Sequence, residues 1–243
     1  MNLGRRRLLG LCAAMTFMLG GAASAESVLR VATDATFPPF EYAENGKRVG
    51  FDVELIEAIA QLLNRQVEWT EIDFKGLVPG LVANRFDVAA SAIYITDERR
   101  KVVDFTDSYY PGGLVIMTRT GDRSIKGPDD LKGKKVTVQV GTKSVNFLKD
   151  NFPTVERVEV EKNQEMFQLV EIGRADAAVT GKPAAKLYAH TRGTLQVVDQ
   201  PLTVEEYGFA LRKDEPELVK QFNDALKALK ADGTYDRLVS KYL

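Results

Sequence analysis

An α/β fold in two similar lobes, each a mostly parallel sheet flanked by helices, is predicted by three observations. Short apolar stretches that read as buried strands alternate with helical stripes, the order of β-α-β units with right-handed crossovers. The segment Leu81-Val82-Ala83-Asn84-Arg85-Phe86-Asp87-Val88-Ala89-Ala90-Ser91 is echoed by Leu169-Val170-Glu171-Ile172-Gly173-Arg174-Ala175-Asp176-Ala177-Ala178-Val179-Thr180. Each holds a helix end, an Arg-x-Asp step and a small apolar strand finishing on a hydroxyl, so one unit occurs twice. The chain is 243 residues long, and after a leader of 25 it is long for one core and comfortable for two.

That leader is Arg5-Arg6-Arg7, an apolar run over 8–19, and Ala23-Ser24-Ala25 before Glu26, the order of a secretory signal cleaved near Ala25. Export to the periplasm or beyond is expected, and the run is too short for a membrane span. The pair Arg6-Arg7 leaves the twin-arginine route open beside the general one. Cys12 is the single cysteine and falls inside the leader, so the mature chain is expected to hold no disulfide, cysteine nucleophile or cysteine metal site. Loss of three arginines takes Lys+Arg from 33 to 30 against 34 acids, about −4, which offers nothing to a nucleic acid.

In chain order, residues 28–33 read as a strand ending in Asp34-Ala35-Thr36 and the rigid turn Phe37-Pro38-Pro39-Phe40. Phe51, Leu55, Ile59 and Leu63 recur at helical spacing over 50–64, and 67–72 alternates as a strand. A short helix over 76–84, with Pro79 in its first turns, feeds a strand at 86–90 that is covered on both faces. Thr96 then caps a helix with Arg99 in its first turn, where the dipole disfavours a cation. Two explanations stand level on these residues. The guanidinium turns back over the strand end and grips an anion with its planar fork, or Arg99 and Arg100 join a solvated cluster with Asp97 and Glu98.

The stretch 102–113 is irregular and aromatic and reads as a crossing between lobes. Strands are predicted at 114–117, 135–140, 155–160, 195–198 and 207–211, the last returning to the first lobe, with a second crossing at 201–208. Gly141-Thr142-Lys143-Ser144 opens a helix whose free amides can take a carboxylate oxygen; it lacks the first glycine of a P-loop. Asn163 is read as the cap of a helix carrying Met166, Leu169 and Val170 and ending at Gly173. Leu218, Phe222, Leu226 and Leu229 line a helix over 217–231, and Tyr235, Leu238 and Val239 a final one. The boundaries that follow are 26–111 with 206–243 for lobe 1 and 112–205 for lobe 2.

If the strands are parallel, ligands belong at their carboxyl ends, with 91–94 in one wall and 180–182 in the other. Gln139 ends a strand on the same side. The lone histidine, His190, is read as a surface residue, so hydrolytic triads of the usual kind are excluded. Phe40 is expected in the core. Phe37 and Phe74 are expected as ligand walls, because each follows an acid at a strand end, Asp34 and Asp73.

Together with export and two lobes, the motifs V-A-T-D-A-T-F-P-P-F-E-Y, G-F-D-V-E-L, D-F-K-G-L-V-P-G-L and I-T-D-E-R-R resemble the periplasmic amino-acid-binding proteins of ABC importers, the glutamine, histidine and arginine binders. The likeness implies a two-lobed periplasmic binding protein of type II with a two-strand hinge, no cofactor, no metal, a monomer, and an inner-membrane permease as partner. It implies that Arg99 clamps a ligand carboxylate with help from Ser91, Ala92, Tyr94, Thr142 and Lys143, that Phe37 and Phe74 sandwich the ligand, and that Asp34 faces its side chain or amine. Two positions depart from the family pattern. Tyr94 stands for the usual Ser or Thr, and Gly181, before Lys182-Pro183, stands for the Asp that meets the α-ammonium. Either another acid takes the ammonium, with Asp34 leading because no basic partner lies near it in sequence, or the ligand is a derivative such as an opine. Introducing Asp at 181 is then expected to strengthen binding of an ammonium. Cyclohexadienyl dehydratases resemble the same family and give an alternative as a lyase, though Gly181 removes the obvious place for a proton donor. Sensor lobe pairs share the build but are usually joined to a membrane span.

Overall fold

The computed structural model describes residues 27–243, and the expected leader lies outside the described residues. In one five-stranded sheet the order is Arg65–Glu71, Ser27–Thr33, Val88–Ala89, Ala210–Arg212, Val103–Phe105. Its first three strands are parallel and Ala210–Arg212 runs against both neighbours. The other sheet has Glu156–Val160, Lys135–Gln139, Ala177–Gly181, Leu114–Arg119, Leu195–Val197, again three parallel strands followed by one antiparallel to both neighbours. The echoed segments thus supply the same strand, third in each order.

Two connections join the lobes. Tyr110–Pro111 and Glu206–Tyr207 pair side by side in antiparallel fashion, Tyr110 against Tyr207. The strand expected over 207–211 is therefore two strands. Glu206–Tyr207 serves the hinge and Ala210–Arg212 the first sheet, with the bend at Gly208 packed so tightly under Ile95 that a Cβ would lie 2.9 Å from that side chain.

Apolar periodicity accounts for the packing. Phe51, Leu55 and Ile59 of helix Phe51–Leu62 are fully buried, as is Phe222 of helix Pro216–Ala231, with Leu218, Leu226 and Leu229 nearly so. Each such side chain contributes about 1.5–3 kcal/mol on burial. Phe40 is fully buried as expected, its ring 5.0 Å from that of Tyr207. In the second lobe Met117, Met166, Phe167, Val170 and Leu195 form a separate core.

Three local expectations need correction. The turn at 34–40 belongs to a small three-stranded sheet of Thr36–Phe37, Glu41–Glu44 and Lys47–Val49. Helix Lys182–Arg192, not foreseen, follows directly on Ala177–Gly181 and carries the exposed His190. Asn163 does not cap its helix: it is the first helical residue, and its side chain is buried and donates to Gln139 Oε1 at 2.9 Å. Among the described residues no helix is long and apolar enough to cross a membrane.

Candidate functional site

The parallel strands of both lobes point their carboxyl ends at one cleft. Its central cavity is about 30 Å³, far below the roughly 300–1,000 Å³ of ligand pockets, so the lobes are drawn together. Asp34, Phe37, Phe74, Ser91, Ala92 and Tyr94 line it from one side, and Gln139, Thr142, Lys143 and Gly181 from the other. Arg99 is not in this wall. It lines an adjoining opening of about 510 Å³ that shares Phe74, Thr142 and Lys143 with the first.

Thr96 caps helix Asp97–Arg100 as the sequence predicts, accepting from the Arg99 amide at 3.2 Å. That cap turns the Arg99 side chain back over the cleft. Its guanidinium donates to the Tyr94 carbonyl at 2.9 Å and, across the lobes, to the Gly141 carbonyl at 3.2 Å, and it lies 5.6 Å from the Phe74 ring centre. No carboxylate among the described residues is within ion-pair reach of it. Glu98 is taken by Asn146 at 3.1 Å, so the solvated cluster is not formed. Burial without such a partner lowers the Arg99 pKa to about 10. The Lys143 and Ser144 amides that begin helix Lys143–Asn151, positions that lack acceptors within a helix, lie at the same cleft. The Lys143 ammonium itself is paired with Glu205 at 2.7 Å.

Asp34 is engaged on every side. Oδ1 accepts from Thr36 Oγ1 at 3.0 Å and Lys162 Nζ at 2.9 Å; Oδ2 accepts from the Phe74 amide at 3.2 Å and Gln139 Nε2 at 2.9 Å. A carboxylate has about four acceptor positions, and here the chain's own donors occupy four. No basic partner lies near Asp34 in sequence, as read, but Lys162, distant in sequence, reaches it from the other lobe and also holds Asp73 at 2.8 Å. Burial draws the Lys162 pKa down, but its bonds to Asp73 and Asp34 outweigh that and leave it raised.

Ser91 and Ala92 turn their polar groups inward. The Ser91 hydroxyl accepts from the Asp34 amide at 3.2 Å and donates to Glu41 Oε1 at 2.9 Å, and the Ala92 amide donates to Asp52 Oδ2 at 2.8 Å. Glu41 and Asp52 are both fully buried. Burial first, and then the neighbouring Asp52 charge, push the Glu41 pKa well up, and burial raises Asp52 to about 7. Asp52 receives Ala92 and also Tyr109 Oη at 2.8 Å, bonds that favour its ionised form and offset part of the burial. Glu41 Oε2 and Asp52 Oδ1 are buried without a hydrogen-bond partner among the described residues.

Tyr94 accounts for Gly181. Tyr94 Oη donates to the Gly113 carbonyl at 3.0 Å and accepts from Tyr207 Oη at 3.0 Å, with the two rings stacked 4.5 Å apart. A Cβ at 181 would collide with the Tyr207 hydroxyl and lie 3.1 Å from Phe37 and 3.2 Å from Tyr94 Oη. Gly181 has ordinary extended angles, φ −67° and ψ 134°, so the glycine is required by the close approach of the tyrosines. An Asp at 181, expected to strengthen binding of an ammonium, would have to enter space that the tyrosines and Phe37 already fill. Thr180 lies in this wall as the strand ends predict, whereas sequence reasoning missed Glu41, Asn163 and Tyr207 there; only the F-P-P-F-E and G-F-D motifs signalled the acid pair.

These features define a class: a two-lobed α/β binding protein that closes on a small molecule between its lobes. The chain belongs to the bacterial extracellular solute-binding proteins, family 3, whose model matches residues 29–243. It is 34% identical over 217 residues to the L-cystine-binding protein TcyJ of Escherichia coli (strain K12), covering 88% of this chain and 82% of that protein. Among solved structures it is similar to an ancestral arginine-binding protein bound to glutamine, with TM-score 0.85, 41% identity, and 90% and 98% of the two chains covered. It is also similar to the ancestral amino acid-binding protein AncCDT-1, a precursor of cyclohexadienyl dehydratase, with TM-score 0.84, 42% identity, and 89% and 95% covered.

Proposed function

We propose that this protein is a periplasmic receptor that captures an amino acid between lobes 26–111 with 206–243 and 112–205, and hands it unchanged to an inner-membrane ABC permease, working as a monomer. The observation that carries the reading is Arg99, a cleft guanidinium with no carboxylate within ion-pair reach among the described residues. A ligand carboxylate would supply that partner, with the first-turn amides of helix Lys143–Asn151 completing the grip and the rings of Phe37 and Phe74 flanking the rest. The amino-acid ligands in the names of the relatives point the same way.

A lyase would need a proton donor aimed into the cavity. Glu41 is an acid in the wall whose pKa burial pushes well up, but it is fully buried and Ser91 covers one of its oxygens, which favours the receptor. Titration calorimetry of the mature protein against the twenty amino acids tests the reading: one should bind at a single site per chain and be recovered chemically unchanged. Absence of heat with all of them, or conversion of the ligand, would sink it.

A further inference from the structure

Among the described residues, the cavity wall offers no carboxylate left free for a ligand ammonium. Glu41 is fully buried, with the Ser91 hydroxyl donating to its Oε1. Asp34 carries four donors from its own chain, and the only cation among them, Lys162, comes from the opposite lobe. Gly181 contributes no acid, and Tyr94 and Tyr207 close the space before it. The Lys162 ammonium sits between Asp34 at 2.9 Å and Asp73 at 2.8 Å while its side chain stays 37% exposed. It therefore approaches Asp34 from the mouth of the cleft and has a second acid to keep it when Asp34 is taken by something else.

We propose that Lys162 is the residue that sets the charge selectivity of this site: its ammonium occupies Asp34 in the closed form, so a cationic group on the ligand must displace it. This rests on the amino-acid reading above and deepens it. A ligand ammonium that reaches Asp34 gains only the difference between its own contact and the one it breaks, whereas a ligand that offers a carboxylate to Arg99 and no cation to Asp34 leaves the Lys162 bridge intact. The site thus discriminates against ligand cations by internal competition, with Asp73 holding Lys162 nearby after displacement. Methionine at 162 removes the competing charge and keeps the length of the stem, and at a half-exposed position it leaves the core untouched.

The test is calorimetric titration of the mature wild type and of Lys162→Met with three probes: L-glutamine, L-arginine, and glutaramate, which is glutamine without its α-ammonium. Lys162→Met should bind L-glutamine and L-arginine at least tenfold more tightly relative to glutaramate than the wild type does, and Lys162→Arg should keep the wild-type preference. Unchanged preference, or equal weakening towards all three probes, would overturn the inference and leave Lys162 as a plain latch between lobes. If neither protein gives heat with any probe, this inference falls, and the amino-acid reading falls with it only where the titration against all twenty amino acids is silent too.

Discussion

Arg99 is a charge kept in the cleft without a countercharge, at a cost that a passing anion would relieve. Removing such an anchor from a charge-paired ligand weakens binding by roughly 2–5 kcal/mol. Arg99→Ala should therefore lose that much affinity by calorimetry while its thermal unfolding stays cooperative, and Arg99→Lys should also be poor because the planar fork is gone. The acid pair makes a different prediction. Glu41 and Asp52 have folded pKa values raised above those of the unfolded chain, chiefly by burial, so the folded state keeps a proton that the unfolded state releases. Stability from this source is greatest below about pH 4 and falls as pH rises towards 7, where Asp52 titrates, by up to about 1.4 kcal/mol per pH unit for one retained proton. Denaturant titrations at several pH values should show that decline, and Glu41→Gln should flatten it; an unaltered slope in the variant would show that the proton is held elsewhere. The Thr96 cap was legible in the sequence because a capped turn is local, whereas the residues alone left two explanations of Arg99 level. Lys162 was not legible, since its partner Asp34 lies 128 residues away and nothing local marks a lysine that will reach across a cleft.

At the scale of elements, the strongly periodic pieces were readable and the short ones were not. Helices Phe51–Leu62 and Pro216–Ala231 show their buried faces at helical spacing, and the echoed strands Val88–Ala89 and Ala177–Gly181 declare themselves by small apolar residues. The sheet of Thr36–Phe37, Glu41–Glu44 and Lys47–Val49 has strands of two to four residues, too short for a period to register, and helix Lys182–Arg192 buries only Ala184 and Ala185, which leaves no apolar stripe. Packing of the long helices carries a stability prediction: Phe222→Ala, at a fully buried position, should cost about 3–5 kcal/mol in denaturant unfolding. Closure has its own element, the turn at Gly141. It has φ +77°, and a Cβ there would lie 2.8 Å from the Lys75 Cα of the other lobe, so Gly141→Ala combines backbone strain with a wedge between lobes. Ligand affinity in that variant should fall at least tenfold; affinity equal to wild type would mean that the lobes do not meet at this turn in the bound form.

For the whole molecule, beside the apolar cluster that includes residues of both lobes and the buried bond of Tyr94 to Gly113, a set of polar contacts crosses the cleft. They are Lys162 to Asp34 and Asp73, Lys75 to Glu161, Gln139 to Asp34, Asn146 to Glu98 and Arg99 to the Gly141 carbonyl. Several are partly exposed, and such pairs contribute little each, with a median of about 0–1 kcal/mol. The covalent connection is only the paired strands Tyr110–Pro111 and Glu206–Tyr207. A weakly latched cleft on two strands can open to admit a ligand and be held shut by the additional contacts the ligand makes to both lobes, a population shift as large as its preference for the closed form. Small-angle X-ray scattering of the mature protein, with and without saturating amounts of the amino acid that binds in calorimetry, tests this most directly. The account predicts a smaller radius of gyration in the bound form, and superimposable curves at saturation would contradict it.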